Sequence, residues 1–141
     1  MLFEDNDFDV NISLFVPDVD FSNILEPMEG FLRGNMFRDE YEPYKNLTYF
    51  KLTPANEQEK KLYEIMALSF AINDLNLYLD LHPDRKDLFQ LFKKYVQDKD
   101  RLCEEYTKTY GPLDVDEATG LKFNWINSPW PWDNRGGSMY V

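Results

Sequence analysis

Apolar positions recur at three- and four-residue steps through the middle of the chain, at Leu62, Ile65, Met66, Ile72, Leu75 and Leu79, with Ser69 in the same register. That spacing predicts an amphipathic helix. Phe70, Leu77 and Leu81 widen its apolar face, so contact on more than one side is expected. Thr53 offers an N-cap and Pro54 a first helical position, where its missing N–H costs nothing. Leu81-His82-Pro83 stops the helix, because a residue before proline is biased out of the helical region. A second stripe, Leu88, Leu91, Phe92, Tyr95, Val96, Leu102, Cys103, Tyr106 and Tyr110, predicts another helix. Asp84 is expected to cap it, with Asp87 in the first turn, where the helix dipole favours negative charge. Gly111-Pro112 closes it. So short a connection makes the two helices an antiparallel hairpin with facing stripes.

The flanks read differently. Val10, Ile12, Leu14 and Val16 alternate with the period of a strand, which Pro17 ends, and they could equally form an extended arm. Pro27, Gly30, Gly34 and Pro43 allow a short helix at most, so the apolar residues of 22–45 must pack on something else. Beyond Tyr110, Val115 and Leu121-Phe123-Trp125 flank Glu117-Ala118-Thr119-Gly120, a pattern for a short β-hairpin. Pro129 and Pro131 hold Trp130 and Trp132 in an extended segment, and Gly136-Gly137-Ser138 loosens the end. The expected fold is mainly α. Residues 1–52 form an irregular arm that does not fold independently, and 53–141 form the helical hairpin with a non-helical aromatic tail.

Composition narrows the function. At 141 residues, 43% apolar and 16% aromatic, the chain suits one folded domain rather than a disordered one. Its 15 basic and 26 acidic residues give a formal charge of −11, which argues against nucleic acid or anionic membrane as ligand. The lone Cys103 cannot form an internal disulfide. No apolar run reaches the ~20 residues of a membrane span. Glu4 and Asp5 follow Met1 too closely for a signal peptide, so synthesis inside the cell is expected.

Candidate chemistry is sparse. Asp80, His82 and Asp84, with Asp74 one or two turns back, gather ionisable groups at the helix corner. One His with carboxylates is a weak metal signal. The structural alternative sets His82 against the carbonyl end of the first helix while Asp84 caps the second. Asp114-Val115-Asp116-Glu117 opens like a calcium loop, but Thr119 and Trp125 stand where Gly and Glu are required. Cys103 lies on the apolar stripe, about 30 Å along from His82, which excludes a Cys–His pair. No glycine-rich phosphate loop is present. Neither catalytic residues nor a cofactor follow from these patterns. Large aromatic rings in proline-rich backbone must be covered or bound. Trp125 is expected to fold back on the helices, while Trp130 and Trp132 either do the same or anchor a partner. With Phe31, Met36, Phe37 and Tyr44 they form the set of partner-binding candidates.

Two ordered patterns carry a resemblance. Residues from about 59 to 134 resemble the spore coat CotJB family, through Asp74-Leu75-Asn76-Leu77-Tyr78-Leu79-Asp80-Leu81-His82-Pro83-Asp84, Tyr110-Gly111-Pro112-Leu113 and Trp125-Ile126-Asn127-Ser128-Pro129-Trp130-Pro131-Trp132. The family more often has Thr at the position of Leu81. Residues from about 13 to 46 are similar to the short CotJA family, through Phe15-Val16-Pro17, Gly30-Phe31-Leu32-Arg33-Gly34-Asn35-Met36-Phe37 and Glu42-Pro43-Tyr44, with Thr and Pro of that family's core lost. The chain thus looks like a CotJA–CotJB fusion. The resemblance implies a non-enzymatic spore coat structural or assembly protein, made in the mother-cell cytoplasm. Its implied partners are a manganese-catalase-like coat protein and other coat proteins, and a homo-oligomer is left open. The alternative is a manganese-handling accessory for that catalase, using Asp80, His82 and neighbouring acids.

Overall fold

The computed structural model describes residues 23–40, 45, 51–118 and 120–126. Three α-helices appear among them: α1, Pro27–Arg33; α2, Glu57–Leu81; and α3, Lys86–Tyr110. α1 begins with Pro27 at its first position and ends at Gly34, whose φ of 85° is left-handed and whose N–H bonds to Gly30 O. It is the short helix that the Pro and Gly pattern allowed.

α2 starts later than Thr53. Its N-cap is Asn56, in extended backbone, with Oδ1 accepting the Glu59 N–H at 2.8 Å. Glu59 Oε2 in turn accepts the Ala55 N–H at 2.6 Å. This is the reciprocal logic of a capping box, shifted by one residue on its return bond. At the other end the His82 N–H reaches Tyr78 O and Leu79 O at 3.0 and 3.2 Å. α3 follows after 82–85, but Asp84 does not cap it. Arg85 occupies the N-cap without a side-chain cap bond. Asp87 is indeed in the first turn and takes the Arg85 guanidinium, Nη2 to Oδ2 at 2.7 Å. The helix ends at Gly111, with φ 118° and its N–H on Thr107 O.

α2 and α3 pack as the expected hairpin. α2 buries Ile65, Ala67, Leu68, Ala71 and Leu75, and α3 buries Leu88, Leu91, Tyr95 and Tyr106. Leu25, Met36 and Phe37, from the segment around α1, are equally buried. Met36 and Phe37 belong to one cluster with Leu68, Ala71, Leu75, Leu88, Leu91 and Tyr95. α2 is therefore covered on two sides, by α3 and by the arm, as its broad apolar face implied. Phe70 meets Phe31 edge-on at 6.0 Å between ring centres. Leu77 and Leu81 do not take part in that cover and remain 57% and 79% exposed.

The tail departs from expectation. No strand occurs among the described residues; Ile24 and Phe37 form an isolated antiparallel bridge. Val115–Glu117 and Asn124–Ile126 are 3₁₀ turns instead of hairpin strands. The reason lies in Glu117, whose Oε2 accepts from Thr107 Oγ1 and the Leu113 N–H. That carboxylate ties the first turn to the end of α3 and keeps Val115 from pairing with 121–125. The alternating stretch at 10–16 lies outside the described residues.

Leu91→Ala should lower unfolding free energy by about 2–5 kcal/mol, since a fully buried Leu loses its contacts and leaves a cavity. Leu77→Ala should change it by roughly 0.5 kcal/mol or less. Urea denaturation of both variants followed by circular dichroism checks the assignment of faces.

Candidate partner-binding surface

The arm residues expected to anchor a partner are placed inside the chain. Met36 is 0% exposed and Phe37 3%, so their apolar area is already taken up by α2 and α3. Phe31 is half-buried against Phe70. Tyr44 lies outside the described residues. Asp74, grouped with the corner by sequence, sits instead at the arm: its Oδ2 accepts the Met36 N–H at 2.7 Å, part-buried. A carboxylate accepting a backbone N–H makes a charge-assisted bond, stronger than a neutral one.

The corner itself is open. Asp80, His82 and Asp84 are all exposed. The imidazole of His82 stacks on Tyr78 at 4.2 Å, and Tyr78 stacks on Phe37 at 4.3 Å. The backbone of His82, not its ring, meets the carbonyl end of α2. Among the described residues no three His, Cys, Asp or Glu side chains are grouped closely enough to hold a metal ion. Hydrogen bonding to Arg85 lowers the Asp87 carboxyl below its usual range and raises the guanidinium in turn. Burial pushes the Cys103 thiol up, away from the thiolate form that a nucleophile needs.

A different surface emerges past α3. Tyr110 is 37% exposed and Val115 49%. Leu121 is wholly exposed, followed by Phe123 at 57%, Trp125 at 39% and Ile126 at 58%. Trp125 has therefore not folded back into full cover. Trp130 and Trp132 lie outside the described residues. The turn that launches this segment is fixed: the Leu113 N–H and the Thr107 hydroxyl bind Glu117 and hold its carboxyl below the ordinary value. Apolar side chains concentrated on one exposed stretch, beside a strongly charged helix surface, make it a candidate binding surface. The sequence placed Trp125 among the partner-binding candidates while expecting its ring to fold back on the helices. It missed Leu121 and Phe123, whose alternation with Trp125 resembled a strand, and Ile126.

The first turn of α2 is the other tightly built feature. The Tyr63 hydroxyl donates to Glu59 Oε1 while Ala55 donates to Oε2. The Tyr63 bond, then the Ala55 bond, lowers the Glu59 carboxyl; the same contact raises the Tyr63 phenol.

A family model described as CotJB protein matches residues 59–133. It spans both helices from the first turn of α2 onward, and the exposed segment after α3. No curated protein and no solved structure matches the chain.

Three carboxyls, Glu59, Asp87 and Glu117, are lowered in the folded state. Each then contributes stability above its unfolded value and loses it as pH falls through the folded one. Hairpin stability should therefore decline on acidification below the ordinary carboxylate range. Glu117→Gln should be less stable at neutral pH and show a shallower acid decline. Urea midpoints measured across a pH series check both signs.

Proposed function

Because the chain belongs to the CotJB family of spore coat proteins, we propose that it is a non-enzymatic assembly protein of the coat, which binds a coat partner through the apolar segment following α3. The exposure of Leu121, Phe123, Trp125 and Ile126 within the matched region supports this most directly. The hairpin supplies a rigid mount, and the Glu117 bonds fix how the segment leaves it. Trp130 and Trp132 continue the same stretch, and Pro129 and Pro131 restrict its backbone, which reduces the entropy lost on docking. Apolar anchors also let an acidic chain bind without a matching basic field.

The partner proposed is a manganese-catalase-like coat protein, with other coat proteins as further contacts. The arm is read as a CotJA-like segment joined in front of the family region. Its buried Met36 and Phe37 leave the post-α3 segment as the candidate set with free apolar area. Synthesis in the mother cell follows from the coat assignment.

Trp125→Ala and Phe123→Ala should each weaken capture of the coat partner, by about 2 kcal/mol if they are central anchors. Their urea melts should stay close to the parent, because both side chains are partly exposed. Pull-downs from sporulating cells, normalised to folded protein, read the effect. Melts that collapse with binding per folded molecule unchanged would assign these residues to the fold instead.

A further inference from the structure

Residues 23–40 form a loop closed on itself. The Leu25 N–H donates to Met36 O and the Arg38 N–H to Asn23 O, both at 2.8 Å. The Asp39 N–H donates to Asn23 Oδ1 at 2.9 Å, and the Arg33 guanidinium to Arg38 O at 3.0 Å. Glu29 and Arg38 add an ion pair at 3.6 Å. α1 lies within this closure, and Gly30 lets Met36 approach it closely: a Cβ there would run into Met36 Sδ. Much of the loop's own backbone is thus satisfied internally. It meets the helices through apolar side chains and through the Asp74 carboxylate on the Met36 N–H.

That is how a bound peptide is held: side-chain anchors in a desolvated seam, with a main-chain hydrogen bond setting register. The seam consists of Leu68, Ala71 and Leu75 from α2 and Leu88, Leu91 and Tyr95 from α3. Two further observations separate loop from seam. The family match begins at residue 59, so both walls of the seam belong to the shared region and the loop does not. Residues 41–56, which join the two, could span on the order of 50 Å when extended. Their length alone does not hold the loop in place.

We propose that the seam between α2 and α3 is an acceptor groove for a self-closed apolar loop bearing an adjacent Met-Phe pair. This chain fills the groove with its own residues 23–40, and the groove accepts the same segment from a separate polypeptide. The inference rests on the packing of residues 23–40 and stands apart from the reading of the post-α3 surface.

The test uses the full chain with a site-specific protease sequence placed at 46–50. After cleavage the two parts should co-elute on size exclusion. An excess of fluorescently labelled peptide of residues 23–40 should then exchange into the larger part. The same peptide with Met36→Ala and Phe37→Ala should compete roughly 30-fold worse or more. If cleavage melts the helices, restoration of their circular dichroism by added peptide supports the groove equally well. Separation of the parts with helices intact and no uptake of labelled peptide overturns the proposal. So does melting that the peptide fails to reverse.

Discussion

The packing of Met36 and Phe37 against the α2–α3 pair is the constraint around which the described fold is organised. Two helices alone bury one face each, and α2 has too much apolar surface for one partner. The arm supplies the second. Its entry is guided by a single carboxylate, Asp74, placed where the Met36 amide would otherwise lose water without compensation. Burial of the two side chains supplies the drive and the hydrogen bond supplies the register. Neither would suffice separately: apolar contact alone tolerates slippage, and one hydrogen bond is weak net of solvent.

This arrangement divides the molecule electrostatically. α3 faces water with Lys94 and Arg101 around Asp98, Lys108 on Glu104, and Lys93 over the ring of Phe89 at 4.9 Å. Such surface pairs, of which Lys94–Asp98 is part-buried and Lys108–Glu104 exposed, contribute little stability each. They do maintain a charged, solvated surface in a chain with a net charge of −11. The apolar segment after α3 stands against that background. The family match covers both helices and this segment alike.

Periodicity made the hairpin legible, because three- and four-residue spacing reports a buried helical face directly. It located α3 well and the seam residues Leu88, Leu91 and Tyr95 with it. It was less faithful for α2. The stripe ran through Met66 and Ser69, which are exposed, whereas the buried face runs through Ala67, Leu68 and Ala71; the two alanines carry a weak hydropathy signal yet permit close approach. Local chemistry misled at the caps. Thr53-Pro54 has the right types for a start, but Asn56 and Glu59 can satisfy two backbone donors between them, and that pair sets the boundary. Asp84 had the right type at the corner, whereas Asp87 found the better partner in Arg85. The role of Asp74 was not legible at all, because its bond joins positions 38 residues apart. The tail's alternation suggested strands, but a carboxylate ten residues from Thr107 bound the turn to the helix end.

Gly30 carries a consequence for how this chain can vary. Its missing side chain is the space that Met36 Sδ occupies, while Asn35 O stands 3.2 Å from where a Cβ would be. Positions 30 and 36 therefore share one volume. A lineage that enlarges residue 30 must also shift or shrink residue 36, and the order of those two steps would matter. The first step taken alone from the Gly30 side meets a clash, whereas from the Met36 side it opens a void. Drift through this part of the sequence has a preferred direction, set by which of those two intermediates the hairpin tolerates.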